Sequence, residues 1–310
     1  MFEKILVPLD FSEASEIVVP YAEELAGKLG SEIILYYVRA KDHAELEHFF
    51  LDYLDNLAKT IKQNVKKKSA KEIKVTTDVA TGEPSQNICE LVSKNKIDLI
   101  IMASVSAAGL KIGKMLGSVA DHVCHTAPIP VLLIRPQHAQ LTRKRNLFNK
   151  ILIPIDGSEL SKRAITVGQE AAAQLKIPVV LFEMVTMVYP SRGTPYINGT
   201  DYIKVNERDE QVIEYNYAKM NQAEERGVLA EMISIEKELR DQELTVDYRI
   251  TSGIDAAKEI IQINKEVGTD LIIMATHGRS GLDRWLMGSV AEKVFRYGEV
   301  PLLLVHARAN

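Results

Sequence analysis

Phe2–Ser15 reads FEKILVPLDFSEAS, and Phe148–Ser161 reads FNKILIPIDGSELS. Each is a short apolar run stopped by Pro-x-Asp and followed by the Ser and Glu residues that start helices. The match extends outward in register. KIDLIIMAS (Lys96–Ser104) answers GTDLIIMAT (Gly268–Thr276), LGSVADHV (Leu116–Val123) answers MGSVAEKV (Met287–Val294), and PVLLIRP from Pro130 answers PLLLVHA from Pro301. Landmarks in one order across both halves mark an internal duplication of domain size.

Within each half, short apolar runs alternate with longer amphipathic stretches. In the second they are KILIPI, Glu159 to Leu175, PVVLFEM, a long charged segment, TVDYRI, Ala256 to Glu266, LIIMA and PLLLV. That order is β-α-β-α-β-α-β-α-β, and nearly continuous apolar strands fit a parallel sheet covered on both faces. The expected fold is α/β: two tandem, doubly wound, Rossmann-like domains with helices on both faces. The expected boundaries are 1–136 for the first domain, 137–147 for a polar linker and 148–308 for the second. The Gly-, Pro- and Tyr-rich stretch Tyr189–Arg208, which the first half lacks, reads as a loop or lid beside the strand ends, or as a surface excursion.

A chain of 310 residues with 26% charged residues and a net charge of −4 gives no long-range bias toward nucleic acid or an anionic membrane. Two cysteines, Cys89 and Cys124, make no disulfide framework. The N-terminus has no signal-peptide pattern, and no apolar run is long enough to span a bilayer. The expectation is a cytoplasmic protein with no nucleic-acid or membrane partner. His122, Cys124 and His125 are read as ordinary helix residues rather than metal ligands, so no metal site is assigned. No P-loop and no nucleophile elbow is present, so no catalytic residue is assigned.

Chemistry concentrates where the fourth strand of the second half runs into Met274-ATHGRSGLDRWLMGSVAEKV. Gly278 and Gly281 permit close backbone approach to a ribose-phosphate. Gly288, Ser289 and Val290 open a helix whose N–H groups, hydroxyl and dipole address an anion. His277 and Arg279 flank the first glycine as potential donors. Asp156, after the first strand, can accept from a base amino group or a ribose hydroxyl, with helix capping as its other reading; Ser158 is the better cap. Met184, ending the second strand, faces an adenine ring or simply packs in the core.

These residues resemble the universal stress protein family, whose ATP-binding members carry G-x2-G-x9-G-[ST] after the fourth strand and an aspartate after the first. Here the pattern reads Ala275-x2-Gly278-x9-Gly288-Ser289. The resemblance implies nucleotide contacts at Pro154, Ile155, Asp156, Met184, Met274, His277, Gly278, Gly288, Ser289 and Val290. It also implies ATP, or ADP or AMP, as ligand, with Mg²⁺ arriving on the phosphates. It further implies a five-stranded parallel sheet of the adenine nucleotide alpha hydrolase kind in each half, and dimerisation through the last strand. The halves are therefore expected to pair as an intramolecular pseudo-dimer through Val131–Ile134 and Leu302–Val305. A homodimer of the whole chain and an unidentified protein partner are further expectations.

The first half departs from the pattern. Ser106 stands where Gly278 would, and one extra residue precedes Gly117-Ser118. Asp10, Val38, Gly117 and Ser118 outline at most a weak second site. The leading functional expectation is a nucleotide-binding regulatory module of the stress response; a slow ATPase and a nucleotide-free interaction scaffold are the alternatives.

Overall fold

The computed structural model describes residues 2–39, 47–105, 116–135, 146–186, 207–276 and 288–306, with side chains in the helix Glu207–Asp241 described from residue 222 onward. In the first half the strands are β1 (Lys4–Pro8), β2 (Glu32–Arg39), β3 (Val75–Thr81), β4 (Leu99–Ala103) and β5 (Val131–Ile134). The second half repeats them as β6 (Ile151–Ile155), β7 (Val179–Thr186), β8 (Val246–Gly253), β9 (Leu271–Ala275) and β10 (Leu302–Val305). Every residue of β4, β5, β6, β9 and β10 is buried, as continuous apolar runs require. β3 and β8 alternate with exposed residues because they form the outer edges.

The order across the sheet is β3-β2-β1-β4-β5-β10-β9-β6-β7-β8. Each half is parallel internally, and β5 meets β10 antiparallel with Leu132 opposite Leu303. The expectation of two separate five-stranded parallel sheets is corrected on this point. The halves share one continuous, mixed, ten-stranded sheet. The reason is physical: β5 and β10 are wholly apolar end strands, and leaving either edge unpaired would expose a row of backbone donors and acceptors.

Helices α1 (Glu13–Glu16), α2 (Val19–Leu29), α3 (Glu47–Ser69), α4 (Pro84–Asn95) and α5 (Ser118–Thr126) belong to the first half. The second contributes α6 (Glu159–Leu175), α7 (Glu207–Asp241), α8 (Ala256–Val267) and α9 (Ser289–Tyr297). α2, α3, α6 and α7 bury one face of the sheet and α4, α5, α8 and α9 the other, each core running through both halves. α6 lies close: a Cβ on Gly168 would stand 2.3 Å from Ile153 Cδ1. Among the described residues no helix is long and apolar enough to cross a membrane.

Polar contacts reinforce the junction. Glu24 on α2 accepts the N–H groups of Leu147 (2.7 Å) and Phe148 (3.2 Å), and Tyr21 packs edge-on against Phe148. On the other face Arg135, directly after β5, is buried against α9. Burial draws its guanidinium pKa down to about 10, with Glu299 opposing, so it stays charged at neutral pH.

The fold also opens a crevice. β6 pairs with β9 only at Ile151↔Leu271 and Leu152↔Ile272, whereas it pairs with β7 as far as Ile155. Pro154 has no N–H to extend the β9 ladder, so the two strands part at their carboxyl ends. The chain also reverses its order across the sheet here, and ligands of doubly wound folds bind at such switch points. β1 and β4 part in the same way before Pro8.

Candidate functional site

In the second half the crevice is a cavity of about 300 Å³. β6 supplies Pro154 and Ile155, with Asp156 directly after it, β7 supplies Met184 and β9 Met274. Gly288, Ser289 and Val290 close it from the start of α9. The sequence thus nominates residues from four separate elements that share one wall. His277, Gly278, Arg279 and Gly281 lie outside the described residues.

Local chemistry fixes each piece. Asp156 Oδ1 accepts the Ser158 N–H at 3.0 Å, while the Ser158 hydroxyl accepts the Ser161 N–H at 3.1 Å and caps α6. Ser158 is the cap, and Asp156 stands on the cavity wall. The Gly288 N–H donates to Thr276 O at 2.6 Å, which joins the end of β9 to the start of α9. That N–H is therefore engaged, contrary to the sequence reading, and the helix begins its own ladder with Glu292 N–H to Gly288 O at 2.9 Å. Ser289, Val290 and Ala291, the first turn of α9, all line the cavity, and the N–H groups of a helix's first turn have no partner within the helix. Together with the helix dipole they favour an anion. Lys293 Nζ, 3.1 Å from Asp255 Oδ2, ties α9 to the N-cap of α8 and holds the Asp255 carboxyl below its usual pKa.

The first half is built alike but is smaller. Asp10, Val38, Gly117 and Ser118 all line a cavity of about 160 Å³, and Gly117 N–H donates to Ser104 O at 2.7 Å. An aromatic cluster stands beside it, reaching the cavity wall at Tyr37. Phe11 packs against Tyr37, Phe50 and Tyr53 with ring centroids 4.3, 5.0 and 4.6 Å away. Phe11 holds φ at +61°, a left-handed conformation rare for a bulky residue, and its second-half counterpart is Gly157 at +73°. Tyr37 follows Tyr36 in β2, where β7 places Glu183 after Phe182. With Gly157 for Phe11 and Glu183 for Tyr37, the second cavity reaches Glu224 and Val228 of α7, whereas no α3 residue lines the first.

Sequence reasoning missed Glu183, Thr186, Glu224 and Val228. Glu183 carried a signal, being a lone acid in the apolar run VVLFEMV, and it is 2% exposed in the fold. Among the described residues no cluster of His, Cys, Asp and Glu could hold a metal ion. Cys124 is buried, which pushes its thiol pKa up, and His125 Nδ1 lies 2.5 Å from Asp121 O in its own helix.

Residues 1–135 and 147–306 each match the model of the Universal stress protein family. The chain belongs to the universal stress protein family. Two such regions in one chain make it a tandem member. The universal stress protein MJ0531 of Methanocaldococcus jannaschii is 33% identical over 166 residues, covering 52% of this chain and 83% of that protein. Universal stress protein YxiE of Bacillus subtilis is 32% identical over 165 residues, 51% of this chain and 99% of its own. The solved universal stress protein of Archaeoglobus fulgidus superposes over 99% of both chains with a TM-score of 0.67 at 19% identity, a likeness of fold.

Proposed function

We propose that this tandem universal stress protein is a nucleotide-binding regulatory module whose second half holds ATP, or ADP or AMP. The observation that carries this is the convergence of Asp156, Met184, Met274 and the first turn of α9 on one cavity of about 300 Å³. Apolar walls at Phe182, Met184 and Ile260 suit a purine face, Asp156 suits a hydroxyl or amino donor, and the helix start suits phosphates. A different universal stress protein was solved in complex with cAMP. That ligand is that protein's own, and the reading here rests on this chain's cavity.

Binding needs only the cradle, whereas hydrolysis also needs a positioned water and neutralised charge at the γ-phosphate. The described lining contains no lysine or arginine, so binding is the function proposed. Mg²⁺ would enter on the phosphates, since no cluster of His, Cys, Asp and Glu among the described residues could hold a metal ion by itself. By analogy with its family's name, nucleotide occupancy would regulate contacts with a protein partner during stress.

The test is to denature freshly purified protein, assay released nucleotide by ion exchange, and titrate the stripped chain with ATP, ADP, AMP and GTP. Saturable binding of adenine nucleotides in preference to GTP is expected. No released nucleotide and no saturable binding would leave an interaction scaffold on this fold.

A further inference from the structure

The last turn of α9 is held by a residue of the other half. Arg135 is 2% exposed, donates from Nη1 to Phe295 O at 2.6 Å and from Nη2 to Gly298 O, and lies over the Phe295 ring with Cζ 5.6 Å from the centroid. The terminal carbonyls of a helix have no partners of their own, and a cation there is favoured by the helix dipole. A guanidinium can meet two of them at once, because its donors diverge in a fixed plane.

α9 is a nine-residue rod, about 13 Å long. Its C-terminal end is fixed by Arg135, and its N-terminal turn, Ser289 to Ala291, lines the second-half cavity. Arg135 itself is anchored by following β5, which is paired to β10 through the junction. The arrangement is not reciprocated in kind. After β10 the matching residue is His306, whose imidazole is shorter and offers at most two ring donors pointing apart.

We propose that Arg135 is a positioning residue for the second-half site: the first half aims the α9 cradle at the ligand's phosphates from the far end of the helix. This rests on the nucleotide reading above. It gives the first half, whose own cavity is smaller, a part in ligand binding.

The chain with Arg135→Met or Arg135→Lys is titrated with ATP and with adenosine, and hydrogen exchange is followed without ligand at the Glu292 and Gly298 amides, which donate to Gly288 O and Val294 O. Arg135→Met is expected to weaken ATP by about tenfold and to speed exchange at those amides. Adenosine, which has no phosphate, should bind as to wild type. Arg135→Lys, folded and still charged but with a single-point donor, should fall between the two. ATP affinity and amide exchange unchanged in both variants would overturn the inference, and so would ATP and adenosine weakened in parallel, the mark of a purely structural role. Wild type that takes up no ATP would instead overturn the nucleotide reading, and this inference with it.

Discussion

Leu132 and Leu303 face each other across the only antiparallel pairing between described strands, 2% and 3% exposed, and so stand at the seam that makes two halves one sheet. Cross-strand pairs of this kind are the unit of sheet stability, and here both faces of the seam are covered by helices.

Leu303→Asp places an unpaired carboxylate in that seam. It is expected to cost about 3–5 kcal/mol in urea unfolding, through lost burial and a desolvated acid. A loss below about 1 kcal/mol would mean that the strands are not paired in solution.

Much of this architecture is legible in the amino-acid sequence alone. Glu159 to Leu175, which reads as amphipathic, is the helix observed, and KILIPI, LIIMA and PLLLV are strands, because apolar runs without a period that are this short are too short for buried helices. Asp156 and Gly288 can be placed at the cavity from the sequence because they sit where a strand ends or a helix begins, whereas Met184, read as ending its strand, lies inside β7, which runs on to Thr186. What the sequence conceals is tertiary. Nothing near Arg135 announces that its partners are Phe295 and Gly298, more than one hundred and fifty residues away. Phe11 hides a left-handed backbone that only its counterpart Gly157 betrays. The stretch Tyr189–Arg208 reads as a loop, yet Glu207 and Arg208 already belong to α7; residues 187–206 lie outside the described structure.

The Phe11 cluster predicts a difference between the halves. Phe11→Gly removes an aromatic that packs edge-on against Tyr37 but relieves a left-handed φ, so it should cost less than the ~3–5 kcal/mol of an ordinary buried Phe→Ala. Gly157→Phe should place a ring toward Glu183 and abolish ligand uptake by the second cavity. Equilibrium dialysis with ATP reads the second effect, and undiminished binding by Gly157→Phe would contradict the aromatic account of cavity size.

Alkaline pH should weaken the fold. Burial raises the pKa of Tyr36 to about 12 and raises those of Tyr21 and Cys124 above their ordinary values. The unfolded chain therefore releases these protons first, from about pH 8.5 for cysteine and about 10 for tyrosine. The folded state holds more protons across that window, so their stabilisation is complete below it and is lost as pH rises toward the folded values. Urea midpoints should fall between about pH 8 and 11, and Cys124→Ala should flatten the first part of the decline. A midpoint constant to about pH 11 would contradict the buried environment of these groups.

The cradle is tested most directly by calorimetric titration of ATP into wild type, Gly117→Asp and Gly288→Asp. Aspartate is a favoured N-cap, so neither variant should lose its helix, yet each puts a negative charge at the mouth of one cavity. The account predicts that Gly117→Asp binds as wild type does, while Gly288→Asp loses ATP by at least about tenfold with its melting temperature kept. Equal ATP affinity in Gly288→Asp and wild type would contradict it.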